Sequence, residues 1–222
     1  MPGTGKKIRG LYAVIDLAYV RPENAAALAA KLITSGARTV QLRAKDVPAR
    51  EALIAAKKIR EVAARQKTLF MVNDRIDIAL ASGAGGIHIG QDDLPPREAR
   101  KLLGEETIIG FSTHNEAEVR DADKLFTEGV INYISFGPIF PTVSKKDARP
   151  AVGIEGLRKA RVLTKAPIAA IGGITEKNIR DVVAAGADAC AVISAILTAP
   201  DAAEKAAFLA TIINAAQKHR HE

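Results

Sequence analysis

The chain has no tryptophan, a single cysteine and only 4% aromatic residues in its 222 positions. Each scarcity excludes something. With so few aromatic side chains, stacking platforms for single-stranded nucleic acid are missing. One cysteine rules out a disulfide within the chain. Its setting in the apolar run DACAVIS points to Cys190 as a buried structural thiol, not a nucleophile. No uninterrupted apolar stretch approaches the roughly 20 residues of a membrane span. The opening MPGTGKKIRG lacks the apolar core of a signal peptide. These absences read as a cytoplasmic protein that binds neither nucleic acid nor membrane. Met1–Lys7 and Lys218–Glu222 are expected to be frayed ends, so His219 and His221 belong to a solvated terminus and not to a metal site.

The rest of the composition is that of a globular chain, 48% hydrophobic and 26% charged, with a formal net charge of +7. Lysines and arginines are scattered, with dense runs only at the two ends, which favours a solvated surface and a small anionic ligand. No compositional break marks a second domain, so residues 1–222 are expected to form one.

Four segments share a small residue and a glycine followed by a strand-like run: SGARTVQLR, SGAGGIHIG, EGVINYISFG and AGADACAVIS. They recur at intervals of roughly 50 residues, a length that a solenoid unit could have, but each interval here contains two strand–helix pairs. Their glycines, Gly36, Gly83, Gly129 and Gly186, suit helix C-termini, where a left-handed backbone is favoured. Four further apolar runs lie between them: GLYAVID, TLFMVND, TIIGFST and APIAAIGG. Helix-like segments follow the strands, as at Glu118–Thr127, where Val119, Ala122 and Phe126 share a face. Strict alternation of eight strands with helices in this length predicts an α/β fold, a single closed (β/α)8 TIM barrel with parallel strands. It stands ahead of a doubly wound open sheet.

Chemistry in such a barrel belongs at the C-terminal strand tips. In VQLRAK, period-two alternation puts Gln41, Arg43 and Lys45 on one face, with Val40 and Leu42 packed outward. Two inward cations call for an anion, from a ligand in preference to barrel carboxylates. The third tip carries Asn73 and Asp74, and the fourth His88, Gln91, Asp92 and Asp93. Asp74 and one of the second pair could hold Mg²⁺. The same aspartates could instead cap the helices that follow them, though capping leaves Asn73 and Gln91 unexplained. Ser112, Thr113 and His114 stand at the fifth tip; no strained elbow marks Ser112 as a nucleophile. The long loop GPIFPTVSKKDARP brings Thr142, Ser144 and Lys145, which suits a phosphate lid. Gly172 and Gly173, before a helix that Thr175 could cap, and Ile193-Ser194 after the eighth strand complete a phosphate cradle.

Taken in order, QLRAK, VND, HIGQDD, GFSTH, GPIFPTVSKKD and IGGI resemble the thiamine-phosphate synthase family, from GLYAVID to VISAIL. The resemblance implies an Mg²⁺-dependent transferase of thiamine biosynthesis. Such an enzyme joins 4-amino-5-hydroxymethyl-2-methylpyrimidine diphosphate to a thiazole phosphate and releases pyrophosphate. It implies Gln41, Arg43, Lys45 and Asn73 on the pyrimidine diphosphate, Asp74 and Asp93 on the metal with Asp92 a bystander, and Ser112 beside the pyrimidine and leaving group. Thr142, Ser144 and Lys145, with Gly173, Ile193 and Ser194, would line the thiazole phosphate and diphosphate. Arg43, Lys45, Ser112 and Lys145 are the implied catalytic groups. The rivals are a thiazole tautomerase relative using His114, a phosphosugar isomerase or epimerase barrel, and a non-catalytic phosphate sensor. Association into homo-oligomers is left open.

Overall fold

The computed structural model describes residues 8–142 and 149–219. Eight parallel strands close on themselves in sequence order. They are β1 (Gly10–Asp16), β2 (Ala37–Arg43), β3 (Leu69–Asn73), β4 (Gly86–Ile89), β5 (Ile108–Thr113), β6 (Tyr133–Phe136), β7 (Ile168–Ile171) and β8 (Ala189–Val192). Helices fill the crossovers: α1 (Ala25–Thr34), α2 (Ala49–Arg65), α3 (Ile76–Ser82), α4 (Pro96–Leu103), α5 (Glu116–Thr127), α6 (Gly153–Leu163) and α7 (Ile179–Ala184). After β8 come the four-residue α8 (Ser194–Leu197) and the long α9 (Ala202–His219). The alternation expected from the sequence is the one observed. The helix of α9 continues through Lys218 and His219, where fraying was expected; residues 1–7 and 220–222 lie outside the described residues.

The period-two pattern sorts each strand into two cores. On β1, Leu11, Ala13 and Ile15 face the helices, whereas Tyr12 and Val14 face the barrel interior. Val40 and Leu42 of β2 belong to the outer layer, as their alternation predicts. The helices meet that layer with small side chains. α2 turns Ala52, Ala55, Ala56, Ile59 and Ala63 inward at helical spacing, which lets its backbone lie close on the sheet. Each fully buried Leu or Ile of this layer contributes about 1.5–3 kcal/mol. Cys190 is one of its fully buried members, and burial pushes its thiol up to about 12, away from any nucleophilic role. Among the described residues no helix is long and apolar enough to cross a membrane.

The four repeated glycines all take positive φ, from 66° at Gly83 to 113° at Gly186. Gly83 shows the reason: its left-handed backbone ends α3 while its N–H bonds back to Ala79 and Leu80. At the opposite, N-terminal face of the barrel, two arginines clasp strand beginnings. Arg100 reaches the carbonyls of Thr107 (2.8 Å) and Val130 (3.1 Å) and the Asn132 side chain (2.9 Å). Arg161 bonds Asp188 (3.0 Å) and the carbonyl of Ala166 (2.9 Å). The face away from the mouth is thus held by hydrogen bonds, as expected of a face that carries stability.

The interior is narrow, and two glycines make room in it. Gly110 on β5 pairs with Tyr133 on β6, and a Cβ at 110 would lie 2.1 Å from Tyr133 Cζ. Gly86 on β4 yields in the same way to Met71, whose Sδ would sit 2.4 Å from an added Cβ. Gly110→Ala is therefore expected to destabilise the fold by about 3 kcal/mol, the upper end of overpacking costs. Adding Tyr133→Leu should return part of that loss, a non-additivity read by denaturant unfolding of the two single variants and the double variant.

Candidate active site

One cavity of about 770 Å³ opens at the C-terminal ends of the strands. Every candidate residue that lies among the described ones lines it: Gln41, Arg43, Lys45, Asn73, Asp74, Asp93, Ser112, Thr142, Gly173, Ile193 and Ser194. Asp92 and His114 line it too. Ser144 and Lys145 lie outside the described residues.

The basic side is more tightly paired than the sequence suggested. Arg43 donates to Asp16 Oδ2 at 2.5 Å, and Asp16, almost wholly buried at the tip of β1, also accepts the Ala18 N–H at 3.0 Å. A buried carboxylate needs such partners, and the pair in turn fixes the guanidinium. Lys45 meets Asp74 at 3.7 Å with its side chain 58% exposed, a loose pair of small energetic weight. Both inward cations thus have a barrel carboxylate nearby, and a ligand must compete with or complement these pairings.

The acidic tips do not cap helices. The N-cap of α3 is Arg75 and that of α4 is Pro95, neither with a side-chain cap bond. Asp74 follows β3 in a left-handed backbone, φ 61°, a geometry that aspartate tolerates better than most residues, and its N–H bonds the His88 carbonyl at 2.8 Å. Asp93 Oδ2 accepts the Gly90 N–H at 2.6 Å and closes the turn after β4. Gln91, unexplained by capping, donates to the Ser112 carbonyl at 2.6 Å and ties two tips together. Among the described residues no group of three or more His, Cys, Asp or Glu forms a metal centre. Asp74 and Asp93 both line the cavity, and their carboxylates could serve as two oxygen donors. That set suits a hard cation whose remaining positions are filled by water and phosphate.

Beneath the mouth runs a buried polar chain that the sequence reading missed. Asn73 Oδ1 accepts from Gln41 Nε2 (2.8 Å), and Gln41 Oε1 accepts from the Tyr12 hydroxyl (2.5 Å). Tyr12 and Tyr133 share a hydrogen bond of 2.9 Å, Tyr133 meets His88 Nδ1 at 2.9 Å, and His88 Nε2 meets Ser112 Oγ at 2.9 Å. Ser135 Oγ lies 3.1 Å from the same Nε2. Burial raises both phenols well above their ordinary value, so they remain protonated. Tyr12 and Tyr133 sit at inward positions that read as plain core; only their hydroxyls, where core positions usually hold aliphatics, could have signalled a network. Asp16 was legible by the strand-tip rule, as the last residue of GLYAVID.

On the far side, Gly172 and Gly173 serve packing as well as bare amides. A Cβ at 172 would lie 2.4 Å from Pro138 Cβ, and one at 173 would lie 2.6 Å from the Pro141 carbonyl. The chain after β6 rests on them, Phe140 donating to the Gly172 carbonyl at 3.1 Å. Thr175 does not cap the following helix: α7 starts at Ile179, and Thr175 Oγ1 accepts from Lys177 N (3.3 Å) in the turn before it. Ser194 is the first residue of α8, while Ile193 packs its side chain into the barrel interior.

His114 is held by Glu118, whose Oε2 accepts the His114 backbone N–H (2.8 Å) and lies 2.9 Å from Nδ1. Arg149 donates to Glu118 Oε1 at 3.1 Å, and Asn115 caps α5 on the Glu118 N–H. Burial alone would raise the Glu118 carboxyl, but the His114 bonds and charge and the Arg149 charge outweigh it and lower it. A depressed carboxyl stabilises the fold above its ordinary value of 4.5 and loses that contribution as the pH falls through its folded value. Glu118→Gln should thus lower the melting midpoint at pH 6, with the gap from the parent closing as the pH drops below 4; thermal melts across that range check it.

A family model described as thiamine monophosphate synthase matches residues 11–196. A thiamine-phosphate synthase of Moorella thermoacetica is 46% identical over 185 residues, 83% of this chain and 86% of that protein. One from Koribacter versatilis is 42% identical over 201 residues, covering 89% and 93%. Among solved structures, thiamine phosphate pyrophosphorylase from Pyrococcus furiosus superposes with a TM-score of 0.82 at 34% identity, covering 93% of this chain and 96% of that one. A 3-hexulose-6-phosphate synthase at 19% identity and TM-score 0.66 shares the fold alone. With a family model spanning most of the barrel and relatives above 40% identity over more than four-fifths of its length, the chain belongs to the thiamine monophosphate synthase family.

Proposed function

We propose that the chain is a thiamine-phosphate synthase acting in the cytoplasm. It would couple 4-amino-5-hydroxymethyl-2-methylpyrimidine diphosphate with 4-methyl-5-(2-hydroxyethyl)thiazole phosphate, giving thiamine phosphate and pyrophosphate. The observation that carries the reading is the cavity that the described cationic, acidic and hydroxyl tips named from the sequence line together. Gln41, Arg43, Lys45 and Asn73 bind the pyrimidine diphosphate, and Ser112 lies against the ring. Thr142, Ser144 and Lys145, with the backbone at Gly173, Ile193 and Ser194, hold the thiazole phosphate and the departing pyrophosphate.

The chemistry asks for no nucleophile from the protein. The bond from the pyrimidine methylene carbon to the diphosphate oxygen breaks, the electron pair leaving with pyrophosphate. The thiazole nitrogen then donates its lone pair to that carbon and closes the new carbon–nitrogen bond. Arg43, fixed by Asp16, and Lys45 and Lys145 stabilise the charge that grows on the leaving group. Asp74 and Asp93 would hold Mg²⁺, which would supply further neutralisation of that charge. The cavity walls keep the two reactants in line.

Incubation with both phosphorylated substrates and Mg²⁺ is expected to release pyrophosphate and thiamine phosphate only when both are present. Absence of thiamine phosphate overturns the proposal, and turnover of the thiazole alone, without pyrophosphate, would point to the tautomerase reading on His114. Asp93→Asn keeps an acceptor for the Gly90 N–H, so its melting temperature should stay near that of the parent while the rate falls about 10²–10³-fold. Full activity of that variant at ordinary Mg²⁺ removes Asp93 from the metal site.

A further inference from the structure

The buried chain from Asn73 to Ser112 has a direction, set by what each group can donate. Resting on the proposed function, the mouth receives an anion, so the Asn73 amide turns its NH₂ towards it and its Oδ1 inward. Oδ1 then takes a proton from Gln41 Nε2, which leaves Gln41 Oε1 as the acceptor for Tyr12. A carbonyl oxygen cannot donate, so the single phenolic proton of Tyr12 is committed to Gln41. The Tyr12–Tyr133 bond is then made with the Tyr133 proton, and the His88–Tyr133 bond with a proton on Nδ1. In a neutral ring that leaves Nε2 as an acceptor, which takes the Ser112 hydroxyl proton at 2.9 Å. Ser135 Oγ also lies within 3.1 Å of Nε2, but the single lone pair there goes to the shorter Ser112 bond, and Ser135 gives its own proton to Ser112 Oγ at 3.4 Å.

We infer that Tyr12, Tyr133 and His88 are positioning residues: a one-way chain of donation from His88 to Asn73 fixes His88 in its Nδ1–H tautomer and so makes Ser112 a hydrogen-bond acceptor towards the ligand. The two ends of the pyrimidine diphosphate site are thereby coupled. At one end Asn73 offers N–H groups to phosphate oxygen. At the other end Ser112, its proton spent on His88, offers a lone pair to a ring N–H such as an exocyclic amino group. The opposite amide orientation at Gln41 would reverse every step and put the proton on Nε2. Ser112 would then be free to donate, and a ring carrying an oxo group in place of the amino group would fit. Each hydroxyl and ring nitrogen in the chain is buried or half-buried, so water does not scramble the direction.

The test is the long-range proton–nitrogen correlation spectrum of the ligand-free protein labelled with ¹⁵N-histidine, the His88 signals assigned by their loss in His88→Asn. A single Nδ1–H tautomer is expected. An Nε2–H ring, a mixture of tautomers or a doubly protonated ring overturns the inference. In Tyr12→Phe the Tyr133 proton is released towards Nδ1, and the His88 pattern should move to a mixture or to Nε2–H. An unchanged Nδ1–H pattern there would show that Gln41 does not set the tautomer. The oxo analogue of the pyrimidine diphosphate should compete at least ~10-fold more weakly than the amino compound, and equal competition removes the step to Ser112. The spectra need no turnover, so failure to form thiamine phosphate and failure of the one-way chain are separately visible.

Discussion

Hydrogen bonding between Gly10–Ala13 and Ala189–Val192 joins the first strand to the last and turns eight strand–helix units into a ring. From that closure the rest follows. Side chains alternate strictly between an outer layer that meets the helices and an inner column, and the C-terminal tips converge on one mouth. An open sheet with the same strands would spread Gln41, Ser112 and Ser194 along an edge. Closure instead makes neighbours of residues separated by most of the chain, as in the bond between Tyr12 and Tyr133, 121 residues apart.

The inner column is small, and its composition reflects that. Alanines on β7 and β8 and glycines on β4 and β5 leave space for two tyrosines, a methionine and a histidine. Polar groups in such a place cost stability unless each is satisfied, and among the described residues no buried side-chain nitrogen or oxygen lacks a partner. A purely aliphatic column would fold as well or better. The polar one does something an aliphatic column cannot, because it transmits the orientation of one hydrogen bond to the next and gives the floor of the mouth a defined pattern of donors and acceptors.

The sequence made the fold legible because both of its periodicities are clean: two along the strands, 3.6 along helices such as α2, with a glycine closing each repeat. The tips were legible for the same reason, since a polar residue that ends an apolar barrel strand faces either the mouth or the start of the next helix. Three things were not. Asp16 pairs with Arg43 across a strand interface, and nothing in either segment names the other. The tyrosine hydroxyls took their meaning only from partners on other strands. The capping roles offered for Asp74, Asp93 and Thr175 were local inferences, and the tertiary geometry overrode them by starting α3, α4 and α7 a residue or more further on.

Charge in the mouth is arranged for exchange more than for storage. Arg43 is locked to a buried carboxylate and contributes a fixed positive end, too costly to release from Asp16 once water is gone. Lys45 and Asp74 are different: 3.7 Å apart and partly exposed, they are bound weakly enough to change partners. On the proposed reading a diphosphate arriving with a divalent cation lets Lys45 turn to phosphate oxygen while Asp74 turns to the metal. Each charge swaps one opposite partner for another, so none is left bare as the mouth fills. Acidic tips in a basic chain are then what a site requires when its ligand brings charge of both signs.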